Sequence, residues 1–190
     1  MTQKKPEIDR QLADSFKLLA VQQPIEKITI KDITDGAGLI RPTFYHHFQD
    51  KYSLIRWIIE RDLLDPVRPL IGVGMIDAAI ELFLTNMMRE QEFYTQAVKM
   101  EGQNSFCELT EDCLRELLSE ILQGKMQGNA EFPWISEEIV ARYYAQSMCH
   151  IIFTWVETGM LVPPTEMVRI HNYLLTHSLG DFLPIYPQTN

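Results

Sequence analysis

At 190 residues, 46% of them apolar and only three of them cysteine, the chain is long enough to bury a core without disulfides or metals, which excludes a small stapled scaffold. A net charge of −9 argues against nucleic-acid binding until its distribution is read: residues 1–64 carry 10 Lys and Arg against 9 Asp and Glu, the remainder 7 against 17. Only the first third can approach phosphate without a strong penalty.

The polar start, Met1 to Glu7, has no apolar stretch behind it, and no segment offers about 18 uninterrupted apolar residues. A soluble, cytoplasmic protein with no membrane partner is expected. Cys107, Cys113 and Cys149 form no Cys-x-x-Cys pair, which suits reduced, buried thiols better than a disulfide framework or a zinc knuckle.

In chain order, Ile8, Leu12, Phe16 and Leu19 recur at helical steps and predict a first helix, ended by Pro24. Thr29 can cap a second short helix, with Asp32 at the capping-box position, and Gly36-Ala37-Gly38 stops it. Pro42 then opens a third helix running to about Phe48, with Arg41 held outside it by the proline that follows. Asp50 caps a fourth, reaching Leu64 through Leu54, Ile55, Ile58 and Ile59.

The stretch from Asp65 to Gly74, with two prolines and two glycines, reads as the boundary between a unit at 1–64 and a second at 65–190. Further helices are predicted near Met75 to Arg89, Glu92 to Met100, Asn104 to Leu122, Ser136 to Thr158 and Thr165 to Phe182. No alternating strand pattern appears, so the expected class is all-α.

Thr29 to Lys51 holds two short helices meeting at a glycine-containing turn, and a second helix of about 8 residues, roughly 12 Å long, fits a major groove. Phe44 and Phe48, four apart, should face inward, which leaves Pro42, Thr43, His46 and His47 on the outer face and Tyr45 at the flank. Lys51, in the first turn of the next helix, can join that helix's free amides in a phosphate clamp. The adjacent histidines point about 100° apart and have no acidic or Cys partner at a matching step, so no metal is expected there.

Thr29, Lys31, Asp32, Ile33, Ala37, Gly38, Thr43, Phe44, Tyr45, His47, Phe48 and Lys51 together resemble the DNA-binding motif of the TetR family. One departure is Thr34, where the family usually carries alanine. The resemblance implies an N-terminal three-helix helix-turn-helix domain and a C-terminal helical bundle for dimerisation and effector control. It implies that Arg41, Pro42 and Thr43 read bases, that Lys31 meets a base or an adjacent phosphate, and that Tyr45, His47 and Lys51 hold phosphates. His46 occupies a variable position that can read sequence. A further likeness, in Trp57-Ile58, Asp62, Glu101 to Phe106 and Arg142-Tyr143, points to the branch that contains the dihydroxyacetone kinase operon activator.

In the acidic part, Tyr143, Ser147, Ile151 and Trp155 repeat at fours beside a second stripe of Tyr144, Met148 and Ile152. One stripe can serve the core and the other needs a partner. The resemblance implies a four-helix homodimer interface formed with the final helix; a deeply buried monomer helix is the competing reading. Phe83, Met87, Phe93, Tyr94 and Phe106 could line an effector pocket, although such stripes are more often plain core. The expected partners are a double-stranded, inverted-repeat DNA operator, a second copy of the chain, and a small-molecule or protein co-regulator, with no cofactor. No phosphate-binding glycine loop, His-Glu-x-x-His or nucleophile elbow supports an enzyme. The remaining alternative is a helical ligand-binding or adaptor protein without DNA binding.

Overall fold

A computed structural model describes residues 4–126 and 132–183; among them the chain is all-helical, with no strand. α1 (Lys4–Gln22) buries Leu12, Ala13, Phe16 and Ala20 along one stripe, and a 3-10 turn over Ile25–Lys27 follows. α2 (Ile30–Gly36) starts at a complete capping box: Asp32 N–H donates to Thr29 Oγ1 at 3.2 Å and Thr29 N–H to Asp32 Oδ2 at 2.9 Å. α2 lies close on α1 because Gly36 has no side chain; a Cβ there would sit 2.4 Å from Ser15 Oγ, which donates to Ile33 O at 2.8 Å.

The turn that follows uses Gly38 at φ 66°, where a side chain would be strained. α3 (Arg41–His47) includes Arg41, which corrects the expectation that it lies outside; either of the first two helical positions tolerates a proline, since neither amide has an intrahelical partner. α4 (Lys51–Ile59) opens on a second capping box, in which Ser53 N–H donates to Asp50 Oδ1 at 2.8 Å and Asp50 N–H to Ser53 Oγ at 3.2 Å.

The predicted continuation to Leu64 is present, but Glu60–Leu64 forms a π turn, with Asp65 N–H donating to Glu60 O at 2.7 Å. Pro66 supplies the reason. It has no amide for the Asp62 carbonyl and its ring would clash with that carbonyl in a regular helix. Asn86 Nδ2 donates to Asp62 O instead, at 3.0 Å.

The proline- and glycine-rich stretch is not an open linker. It holds the short helix α5 (Arg68–Gly72), preceded by the buried Val67. α6 (Ile76–Arg89), α7 (Gln91–Ala97), α8 (Phe106–Leu122), α9 (Glu137–Glu157) and α10 (Pro164–Thr176) complete the bundle, and a 3-10 turn over Leu179–Phe182 takes the place of the predicted end of the last helix. α8 packs along α9, α10 on α6, and α1 on α7. Apart from Ala141 and Val168, the buried apolar side chains of the described residues form one cluster from Leu12 to Met167 that runs through both parts of the chain. Where the parts meet, Lys17 pairs with both Asp62 and Glu90, and Arg61 with Asp62. Among the described residues no helix is long and apolar enough to cross a membrane.

Candidate nucleic-acid interface

Phe44 is fully buried and Phe48 nearly so, their ring centroids 5.8 Å apart, with Phe48 edge-on to Trp57 at 6.0 Å. These contacts seat α3 on the core and turn its other side outward. Arg41, Pro42, Tyr45 and His46 are exposed and Thr43 is half-buried, so this ridge is open to a duplex. Arg41 Nη2 donates to Tyr45 Oη at 3.3 Å, one turn along the same face.

α2 supplies the flank. Thr29 is exposed but spends its hydroxyl on the cap, donating to Asp32 Oδ2 at 2.7 Å. Those bonds hold the Asp32 carboxyl below its ordinary pKa. Lys31 is exposed and pairs with Asp35 one turn on, which raises its pKa. Thr34, the departure from the family pattern, is buried and donates back to the carbonyls of Ile30 and Lys31, both at 3.0 Å, so its hydroxyl disturbs no packing.

Two expected phosphate ligands have other work. The His47 side chain is only 6% exposed, and its Nδ1 lies 2.6 Å from Asp9 Oδ1 on α1. It ties α3 to α1 and does not stand on the outer face. Lys51 donates from Nζ to the carbonyls of Ile25 and Glu26 at 3.0 Å and Ile28 at 3.4 Å, and burial pulls its pKa down. Its three N–H bonds are directed at the 3-10 turn, so as placed it closes the helix-turn-helix from behind and makes no clamp.

Sequence reasoning missed Ile40, 67% exposed at the N-cap of α3, and Asp9, the partner of His47. An isoleucine where a capping hydroxyl or carboxylate is usual was the available signal for Ile40. Nothing local marks Asp9, 38 positions from its partner.

Residues 17–57 match the family described as bacterial regulatory proteins, tetR family, and residues 76–177 match a TetR-type family described as transcriptional regulator C-terminal region. The chain belongs to the TetR family. Its members are transcriptional regulators. Among curated proteins this TetR-family chain is 23% identical over 144 residues to the HTH-type dhaKLM operon transcriptional activator DhaS of Lactococcus lactis subsp. lactis, covering 74% of each chain. The solved structure of a dihydroxyacetone kinase operon activator DhaS shares the fold, with TM-score 0.62 and 21% identity over 88% of this chain and 93% of that one. So does Thermus thermophilus FadR, a TetR-family repressor solved with lauroyl-CoA, at TM-score 0.60 and 16% identity over 96% and 98%.

In the C-terminal part of this TetR-family chain, the stripe at fours divides. Tyr143 is 65% exposed and Ser147 and Ile151 half-buried, but Trp155 is only 3% exposed, with its indole N–H donating to Val162 O at 2.8 Å. A step of four overshoots a helical turn by about 40°, so three steps carry the stripe about 120° round the helix into the core. Trp155 is therefore corrected from interface to core. On α10, Ile170, Tyr173 and Leu174 form an exposed apolar patch.

The expected effector pocket is also redrawn. Phe93, Tyr94 and Phe106 stack edge-on or tilted with centroids 5.0 to 6.5 Å apart, and with Met87 they are buried core. Of the five, Phe83 lines an apolar cavity, while Phe93 borders an open polar groove beside Lys17 and Glu90. The apolar cavity, of about 240 Å³, lies between α6, α8, α9 and α10 and is walled also by Leu64, Ile80, Leu114, Met148, Ile152 and His171.

Proposed function

We propose that the chain is a homodimeric regulator that binds an inverted-repeat operator. Residues 1–64 would read DNA, and residues 65–190 would pair the subunits and receive a small-molecule or protein effector. The exposed ridge of Arg41, Pro42, Thr43 and His46, propped by the buried Phe44, carries this reading. It offers a guanidinium and an imidazole for base edges or phosphate and small apolar surfaces for thymine methyls, with Ile40 adjoining. Tyr45 and Lys31 lie at its margins, available to backbone phosphates, while Thr29 caps α2 and His47 and Lys51 support the ridge from within.

One short helix buries too little surface to select a site alone, which is the physical reason for a two-fold pair. Tyr143, Ser147 and Ile151 of α9 with Ile170, Tyr173 and Leu174 of α10 offer the apolar face for it. The likeness to DhaS spans both parts of the chain and supports an operon of the dihydroxyacetone-kinase type as the controlled unit.

Selection of bound oligonucleotides from a random pool by the purified protein tests the reading. A palindromic consensus whose enrichment is lost in Arg41→Ala and Thr43→Ala variants is the expected result. No enrichment over bulk DNA at physiological salt would leave the helical adaptor as the better description.

A further inference from the structure

The cavity wall contains no Lys, Arg, Asp or Glu. An ionised ligand entering it would lose its hydration and find no counter-charge, which is a prohibitive exchange in an apolar site. The wall has two polar residues. Tyr144 stands toward the rim, 38% exposed like its neighbours Ile76 and Leu175, which are also accessible. His171 is 7% exposed and lines both this cavity and a small void beside Met167. Neither ring nitrogen of His171 has a hydrogen-bond partner among the described residues. Among the described residues the one sealed and unpaired side-chain polar atom is Tyr94 Oη, so the His171 nitrogens are not sealed in, and their hydrogen-bonding capacity is left to whatever fills the adjoining space.

We propose that this cavity is an effector site for an uncharged, mainly hydrocarbon molecule bearing one hydroxyl or carbonyl, whose polar end bonds to His171. The size follows by proportion: a cavity of roughly 150 Å³ holds benzene, so one of 240 Å³ holds about ten non-hydrogen atoms. Burial pushes the His171 pKa down, so at neutral pH the ring is uncharged and offers one donor and one acceptor, matching a hydroxyl and not a carboxylate. A small polyol fits badly, since its other hydroxyls would face only aliphatic carbon. Leu64, in the wall, belongs to the π turn whose Asp62 pairs with Lys17 of α1, so an occupant touches the segment that carries α4. The effector role rests on the regulator reading above; the ligand class does not.

Calorimetric titration of the full chain with n-octanol, n-octane, octanoate, dihydroxyacetone and lauroyl-CoA at neutral pH tests the ligand class. Octanol should bind at least about tenfold more tightly than octanoate, as expected when a charge is desolvated unpaired, and the other two polar probes should not compete with it. His171→Leu should weaken octanol by about five- to tenfold, one lost hydrogen bond, and leave octane unchanged. Ala79→Phe, which fills the cavity, should abolish both; the probe series on the unaltered chain decides the matter if that variant does not fold. Octanoate or lauroyl-CoA binding as tightly as octanol, or octanol binding that survives in folded Ala79→Phe, overturns the proposal. Calorimetry needs no DNA, so octanol binding by a protein that selects no operator refutes the regulator reading alone, and operator selection without octanol binding refutes the ligand site alone.

Discussion

Lys51 and Ile25 are joined across the back of the helix-turn-helix, the ammonium at the start of α4 donating to the Ile25 carbonyl at 3.0 Å. With the bonds to Glu26 and Ile28, this one side chain satisfies carbonyls of a turn that has no helix of its own to pair with. Lys51→Met should therefore destabilise the fold by about 1–3 kcal/mol, the range for removing a charged donor from part-buried acceptors. Denaturant unfolding measures this. The slope of log affinity against log salt should stay unchanged in Lys51→Met, whereas Lys31→Ala should reduce it by about 0.9, the value of one phosphate contact. A reduced slope in Lys51→Met at wild-type stability would restore the clamp.

The His47–Asp9 contact sets the angle of α3 against α1. A double-mutant cycle with His47→Ala and Asp9→Ala should give a coupling of about 0.5–3 kcal/mol in stability. DNA affinity should fall alike for all sequences, because the ridge is tilted and no base contact is removed. Loss of preference at a single operator position would place His47 in direct contact with DNA.

For subunit pairing, Tyr173→Glu combined with Leu174→Glu puts charge on the exposed α10 patch and should give monomers by light scattering. Trp155→Phe should keep the dimer and cost about 1 kcal/mol, one indole hydrogen bond. A dimer that persists in the double glutamate variant would move the interface elsewhere.

Burial raises the pKa of all three cysteines, pushing Cys113 up to about 12 and Cys149 further still, while Cys107 is half-exposed. The thiolate is the reactive form, so native alkylation followed by mass spectrometry should label Cys107 first and leave Cys113 and Cys149 until unfolding. Early labelling of Cys149 would show that α8 and α9 part readily.

The helices were legible because their signals are local: capping residues at Thr29 and Asp50, apolar steps of three and four, and a glycine turn at Gly38. The outer face of α3 followed from the spacing of Phe44 and Phe48. What escaped depends on partners far away in the chain. Nothing near Lys51 or His47 says that a carbonyl 26 residues back or a carboxylate 38 residues back will claim it. Trp155 escaped through geometry, since a stripe drawn at fours drifts round the helix. The pocket aromatics escaped because close packing among themselves gives them the same spacing that lining a cavity would.

The π turn over Glu60–Leu64 holds one more residue than a regular helical turn needs. Because Pro66 still denies the Asp62 carbonyl an amide, a deletion there cannot return the segment to ordinary winding; the join between α4 and α5 would have to shift instead. In the homodimer proposed above that shift would occur twice, related by the two-fold axis, and would alter the distance between the two reading heads. The winding of this one turn would thereby help to fix the operator spacing that the proposed pair spans.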